Sequence, residues 1–406
     1  MSGKKTAIVV GGGVIGVSTA YALARDGWSV TVLDRAQDVA LGASFGNGRQ
    51  LSYSHTNALA GPGIFAQIPG LLMGKNEAFR MSLCGERGYF DWLLRLLGQS
   101  SNSANHRNTL AVLKLAAHSR LAMERLLNNV PVEFAHRVSG KLVLMRDNAE
   151  VEAARPLLEA KRATGLKQEL IDRERVFEIE PTLQHSPDTI AGALYAPEDE
   201  TGDCHAFSSG LMAHLKANYC AGFRGGANVH RISRAGQETW VHLADGEVLN
   251  CNCVVIANGH AANDLLAPLG HRLPIQPMKG YSFTAPIGNA APQVSITDNS
   301  RRLVFTHCGD RMLVAGIAEM GKVTSEVDGQ RMASMIASAR DALPEAAIFS
   351  EADAGWAGLR PMTPSSQPII GMLEPGIAVN VGHGMLGWTL AMGSAERLSG
   401  ALAEAA

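Results

Sequence analysis

The sequence predicts an α/β fold in two interleaved parts, and three observations carry that expectation. The first 35 residues read as apolar strand, glycine-rich turn, helix and β-branched strand. A second short apolar strand, Val254-Val255-Ile256-Ala257, returns more than two hundred residues later. The chain is also 406 residues long, more than one core ordinarily supports, so two domains or one domain with large insertions is expected.

Thr6 to Val10 reads as a buried strand, Val14 to Asp26 is rich in helix formers, Gly27 stands where a terminating glycine belongs, and Ser29 to Leu33 is β-branched. Residues 36 to 75 are rich in Gly, Ser, Asn and Pro and read as a long ordered loop, a feature that in compact domains is usually functional. From Gly85 to Leu170 the apolar spacing turns helical, as in Phe90 to Leu97 and Leu110 to Leu127, and reads as an inserted helical lobe. Strand patterns return at Trp240 to Leu243, Leu303 to His307 and Met312 to Gly316, the last two forming a hairpin around Gly309-Asp310. Gly382 to Leu402 reads as a glycine-rich turn running into a helix.

Net charge is −2 with no run of Lys or Arg, so nothing marks a nucleic-acid surface. The cysteines are scattered. Cys251 and Cys253 carry the offset that puts both on one face of a strand, which suits neither zinc nor a redox pair, so reduced thiols in the cytoplasm and no metal are expected. Five residues precede the first strand and no apolar run approaches the roughly 18 residues a spanning helix needs; membrane contact is expected to be at most peripheral, at the inner face.

Gly11-Gly12-Gly13-Val14-Ile15-Gly16 fits GxGxxG between a strand and a helix. Gly11 permits the tight turn, Gly13 lets a pyrophosphate approach backbone amides, and Gly16 allows close helix-to-strand packing. The phosphate charge then rests on the helix N-terminus. Asp34 ends the second strand where a carboxylate accepts ribose hydroxyls and repels a 2′-phosphate. FAD and NAD both use this fingerprint. A nicotinamide enzyme ordinarily continues into a second βαβ half, whereas this chain breaks off into a glycine-rich loop and helices, which favours FAD in a Rossmann-like domain.

With the fingerprint, four segments carry a resemblance: Gly42-Ala43-Ser44-Phe45-Gly46-Asn47-Gly48-Arg49-Gln50, Leu273 to Ser282, Gly358-Leu359-Arg360-Pro361-Met362-Thr363-Pro364, and Gly382 to Thr389. Over nearly its whole length the chain resembles the D-amino-acid dehydrogenases, within the FAD amine oxidoreductases that include glycine oxidase, sarcosine oxidase and D-amino-acid oxidase. The resemblance implies an FAD-binding domain from residues 1-85, 195-262 and 355-406, interleaved with an α+β substrate domain from 86-194 and 263-354. It places Ala43, Ser44, Asn47, Gln50 and Leu51 along the flavin, Val14, Ile15 and Arg35 around the rest of the nucleotide, and the backbone at Val229 on the adenine. It places Ala257 and Gly259 by the ribose or pyrophosphate.

The resemblance also implies that Arg360 binds the substrate carboxylate, a task suited to the planar, bidentate guanidinium. Gly384, Leu386, Gly387, Trp388 and Thr389, at a helix N-terminus, are placed at the flavin, where backbone N–H groups offset the charge that reduction leaves on the ring. His383 either contacts substrate or packs against the flavin, and Tyr281 and His307 are candidates for the pocket wall. No general base stands out. The implied reaction is oxidative deamination of a small D-amino acid or cyclic D-imino acid, of the D-proline or hydroxy-D-proline type, by hydride transfer from Cα to flavin N5. A quinone or artificial dye is the implied acceptor, and homo- or hetero-oligomers are open. The alternatives are an oxygen-using amine oxidase of the glycine or sarcosine type and the FAD-bearing subunit of a heteromeric dehydrogenase. Two departures from the family pattern bear on this. Ser365-Ser366-Gln367 stands where Asp-Gly usually follows the proline, and the loop Tyr53 to Pro69 is unlike the ordinary dehydrogenase. Gly358 stands where the sarcosine-oxidase branch has its flavin-linking cysteine, which implies non-covalent FAD.

Overall fold

The computed structural model describes residues 4–61, 79–82, 87–162, 164–236, 238–321 and 324–404. Two large sheets organise them. In the first, the strands lie in the order β19 (Ile369–Glu374), β20 (Ile377–Val381), β13 (Cys253–Ile256), β1 (Thr6–Val10), β2 (Ser29–Leu33) and β9 (Gly222–Arg224). All neighbours are parallel except the β19 and β20 hairpin. Every residue of β13 and β20 is buried, as parallel strands covered on both faces require. Helices α1 (Val14–Arg25), α3 (Asn102–Leu127), α6 (Cys204–Tyr219) and α9 (Gly387–Glu404) share one apolar core on this sheet, with Val17, Leu113, Phe207 and Ala391 all buried in it.

The second sheet runs β18 (Trp356–Met362), β14 (Gln276–Pro286), β17 (Arg311–Met320), β16 (Leu303–Cys308), β15 (Ser295–Asp298), β5 (Lys141–Met145), β7 (Gly192–Ala196), β6 (Glu169–Asp172), with β4 (Phe79–Met81) added alongside β17. Its outer face buries Phe283, Phe305 and Val314 with Met332 and Met335 of α8 (Gly329–Ala342) and Val176 of α5 (Arg173–Ile179). The expected hairpin forms: Cys308 faces Arg311 across a two-residue turn in which Gly309 takes φ +63°. Strands β10 (Val229–Ala235), β11 (Glu238–Leu243) and β12 (Val248–Cys251) make a small antiparallel sheet, and β3 (Gln50–Leu51) pairs with β8 (Glu200–Thr201). Helices α2 (Arg87–Gly98), α4 (Asn148–Arg162) and α7 (Ala262–Leu266) complete the set among the described residues.

Two expectations change. The stretch read as a helical lobe holds α2, α3 and α4 but also β5 and β6, because an apolar run as short as Leu142 to Met145 carries no period that separates strand from helix. Cys251 and Cys253 do not share a strand face. They sit on β12 and β13, on either side of Asn252, whose side chain accepts from the Thr6 backbone N–H at 2.8 Å. Of the unusual loop from Tyr53, residues 62–69 lie outside the described residues. No described helix is long and apolar enough to cross a membrane.

The segment Gly46 to Gln50 connects the two halves. It crosses the inner face of the second sheet: Ser282 of β14 donates to the Gly46 carbonyl at 2.6 Å, Thr306 of β16 donates to the Gly48 carbonyl at 2.8 Å, and the Gln50 amide donates to Ser295 of β15. This strip forms one wall of the site.

Candidate active site

The glycines behave as their spacing requires. Gly11 has φ +113°, and a Cβ there would lie 2.7 Å from the Ala257 carbonyl, so only glycine lets β1 and β13 approach at this turn. A Cβ on Gly16 would stand 1.8 Å from the Gly11 carbonyl oxygen, which makes Gly16 a packing residue between α1 and β1. A Cβ on Gly13 would meet only Ser44 Oγ, at 3.4 Å, and otherwise open space in front of the α1 N-terminus. Asp34 accepts from the Gly12 N–H at 2.5 Å and the Ala36 N–H at 2.8 Å, at the edge of a cavity of about 580 Å³ that Arg35, Val229, Ala257 and Gly259 also line. Val14, Ile15, Ala43 and Ser44 line both this cavity and a second one. Ser44 does more than line it: its Oγ accepts from the Val14 N–H at 3.0 Å and satisfies one free amide of the helix terminus.

The second cavity, of about 560 Å³, lies between the inner face of the second sheet, the strip that includes Asn47 and Gln50, and the N-terminus of α9, with Gly384, Leu386, Gly387, Trp388 and Thr389 on its wall. Its volume is that of an ordinary ligand site. Arg360 enters from β18. Its guanidinium lies over Gly280, where a Cβ would be 2.3 Å from Nη2, and no carboxylate pairs with it among the described residues. Burial without a counter-charge pulls its pKa down to about 10, still high enough to leave it a cation near neutral pH. His383 is buried beside it in the wall, its Nε2 has no hydrogen-bond partner among the described residues, and burial holds it neutral with a pKa of about 3. Gly382 at φ +82° and Gly384 at φ +57° give the turn that brings His383 there.

Several expected residues stand elsewhere. Tyr281 does not line this cavity: side chains alternate across a strand, and with Met278 and Ser282 on the inner face of β14 Tyr281 points into the outer core and donates from its hydroxyl to Glu319 at 2.5 Å. His307 is likewise on the outer face of β16, opposite Thr306, with its ring against the Gly309 carbonyl at 3.0 Å. Leu51 is fully buried in the core of the first sheet and offers no side chain to a ligand. Trp388 reaches the wall, yet its indole packs on Phe207 and Phe134 and donates to the Gly202 carbonyl at 3.2 Å, a structural anchorage for α9.

Other wall residues went unremarked in the sequence. Lys141, Ser52, His55 and Thr297 form a polar end, while Leu59, Phe79, Met278 and Ala318 form an apolar end near Arg360, with Arg302 stacked on the Phe79 ring at 5.0 Å. Lys141 had a legible signal: a lysine opening the otherwise apolar run Leu142-Val143-Leu144-Met145 becomes, on folding, a buried cation that needs polar company. The wall carboxylate Asp298 is ion-paired with Arg146 and bound by Ser300.

The open flank of Gly13, the free helix terminus behind it and the paired cavities suit an elongated dinucleotide whose phosphates rest on α1. Comparison with known proteins agrees. Residues 6–400 match the family model described as FAD dependent oxidoreductase. A D-amino acid dehydrogenase of Rhizobium johnstonii is 36% identical over 393 residues, covering 96% of this chain and 94% of the relative. D-amino acid dehydrogenase 2 of Ralstonia nicotianae is 35% identical over 409 residues, covering 98% and 96%. Among solved structures, glycine oxidase from Bacillus cereus superposes with a TM-score of 0.72 at 22% identity, over 99% of this chain and 96% of that one. L-proline dehydrogenase from P. horikoshii does so with a TM-score of 0.76 at 20% identity, over 100% and 95%, which shows a shared fold. The chain therefore belongs to the FAD-dependent oxidoreductases, and FAD is its cofactor.

Proposed function

We propose that this chain oxidises the Cα–N bond of a small D-amino acid or cyclic D-imino acid, of the D-proline or hydroxy-D-proline type, as a dehydrogenase. The observation that carries the reading is Arg360, a half-buried cation with no carboxylate partner among the described residues, in the wall of the reaction cavity beside an apolar recess formed by Leu59, Phe79 and Met278. A guanidinium in that state lacks a carboxylate, and an amino acid brings one in the bidentate geometry that fixes Cα. The names of the relatives support the same substrate class.

The residues then act by positioning. Arg360 orients the substrate, and the apolar recess takes its side chain and excludes water. Asp298 is occupied by Arg146 and His383 is held neutral, so among the described residues no wall carboxylate stands free as a base, and the substrate amine gives up its proton to solvent on entering. His383 Nε2 remains open to a hydrogen bond from whatever fills the cavity. The amides at the start of α9 face the cavity and offset negative charge that builds there. FAD, when bound, supplies the two-electron acceptor. The retained cofactor is non-covalent, since a side chain at Gly358 would lie 2.0 Å from the Trp356 ring and none with a thiol is present. We assign the first sheet with its helices to FAD and the second sheet to substrate, in the interleaved division stated above.

The test is anaerobic mixing of purified protein with D-amino acids, cyclic D-imino acids, glycine and sarcosine while flavin absorbance is followed. Bleaching by D-substrates, with reoxidation faster by quinone analogues or dyes than by air, is the expected outcome. Bleaching only by glycine or sarcosine, or peroxide release at the full turnover rate, would overturn it.

A further inference from the structure

The polar end of the reaction cavity holds a cation that the amino-acid chemistry does not use. Lys141 is buried at 4% exposure at the start of β5. Its ammonium donates to Gln50 Oε1 at 2.8 Å and to Ser52 Oγ at 2.7 Å. An ammonium has three protons, and no third acceptor and no ion-paired carboxylate is present among the described residues. The buried Asp199 lies in the same region, outside the cavity wall: its Oδ1 accepts from the Ser54 N–H at 3.1 Å, its Oδ2 has no partner among the described residues, and it attracts the ammonium without an ion-pair contact. Burial outweighs the attraction of Asp199 and lowers the lysine to about 8.

Two further buried polar atoms in the same wall, Thr297 Oγ1 and His55 Nδ1, have no partner among the described residues. Thr297 is two residues along β15 from Ser295, which sits opposite Lys141 in the register. The cluster also touches α9, since the Ser52 N–H donates to Thr389 Oγ1 at 3.0 Å in the first turn of that helix. One end of the cavity therefore gathers a lysine, a helix N-terminus and two unsatisfied polar atoms, a constellation that wants a ligand edge of alternating acceptors and donors.

The substrate carboxylate is not that ligand. Arg360 is on β18 and Lys141 on β5, five strand steps apart in the sheet, or roughly 24 Å along it at about 4.8 Å per step. A small amino acid held at Arg360 does not reach Lys141. The flavin does: its pyrimidine ring presents C2=O, N3–H and C4=O in sequence, and reduction leaves negative charge at N1 and C2=O.

We infer that Lys141 is a flavin-contacting catalytic residue, its ammonium donating to the pyrimidine edge next to the α9 N-terminus and stabilising the reduced, anionic ring. Gln50 and Ser52 are its positioning residues: they fix the ammonium so that its third proton faces the cavity. The inference depends on FAD, and not on which substrate reduces it.

The experiment measures the reduction potential of the purified holoprotein without substrate, by dye-equilibrated reductive titration, in wild type, Lys141→Gln and Lys141→Arg. Loss of one charge-assisted contact made mainly by the reduced ring should lower the equilibrium constant for two-electron reduction about tenfold to a hundredfold in Lys141→Gln. At about 30 mV per tenfold this is a potential about 30 to 60 mV more negative. Lys141→Arg keeps the charge and should stay near wild type. If Lys141→Gln loses FAD while Lys141→Arg keeps it at the wild-type potential, the charge is again what matters. A Gln variant with full FAD and an unchanged potential overturns the inference, as does loss of FAD from both variants, which would make the lysine a folding residue.

Discussion

Replacing Gly280 with alanine tests the substrate anchor without altering any charge. The added Cβ would lie 2.3 Å from Arg360 Nη2 and 2.4 Å from Cζ, against about 3.5 Å for ordinary contact, so the guanidinium must move by roughly 1 Å. Arg360 has a cavity to move into, and Gly280 does not hold a positive φ, so the strand itself tolerates alanine. A displacement near 1 Å at a substrate clamp costs about a hundredfold in rate, equivalent to about 2.7 kcal/mol of transition-state stabilisation. The expected result is a loss of about a hundredfold in kcat/KM for the best D-substrate, with thermal stability and FAD content at wild-type levels. Stopped-flow flavin reduction against substrate concentration, beside a melting curve, gives all three. If the variant is reduced with unchanged rate and half-saturation, the guanidinium over Gly280 does not set the substrate pose.

Arg360→Lys should weaken substrate binding and slow flavin reduction, and Arg360→Ala should do both more severely, by about ten- to a hundredfold for the lost charged contact, as read from the same stopped-flow assay. Gly13→Val should leave the circular dichroism and melting of the apoprotein intact and abolish FAD retention, whereas Gly16→Ala, with its Cβ 1.8 Å from a carbonyl oxygen, should destabilise the fold itself by about 1 to 3 kcal/mol. His383 has a folded pKa of about 3, below the ordinary histidine value, so its neutral form contributes stability above pH 6.5 that is lost as pH falls toward 3. Denaturant unfolding at pH 7 and pH 4 should therefore show a smaller acid loss in His383→Asn, the difference being at most about 5 kcal/mol for the full span.

The nucleotide half of the molecule was the more legible in the sequence. Strand, glycine turn, helix and terminal Asp34 are local in the chain, and the steric demands on Gly11 and Gly16 can be argued from spacing before any fold exists. The return of β13 was readable for the same reason, a short apolar run closed by Ala257. Tyr281 and His307 failed because their facing depends on strand phase, which is fixed only once their strand neighbours, Ser282 and Thr306, are seen to face the strip. Leu51 adjoins the strip at the cavity, yet its side chain turns into the core of the first sheet, a facing that spacing alone does not give. The polar end at Lys141 was missed because its members come from residues 52, 55, 141 and 297, which only the sheet order brings together. A lysine inside an apolar strand was the one local hint.

The strip from Gly46 to Gln50 carries an implication for how the chain acquires its cofactor during synthesis. Its placement relies on hydroxyls of Ser282 and Thr306 and on Ser295, residues made more than two hundred positions after the strip itself. The first sheet, which carries the phosphate turn, is also incomplete until β20, at Ile377–Val381, docks on β13. An emerging N-terminal third therefore holds the phosphate turn and the strip, and lacks the second sheet and the α9 terminus that complete the cavity. Cofactor capture is therefore expected late in synthesis, and a chain shortened before β20 and α9 is expected to retain FAD poorly however well its first hundred residues are built.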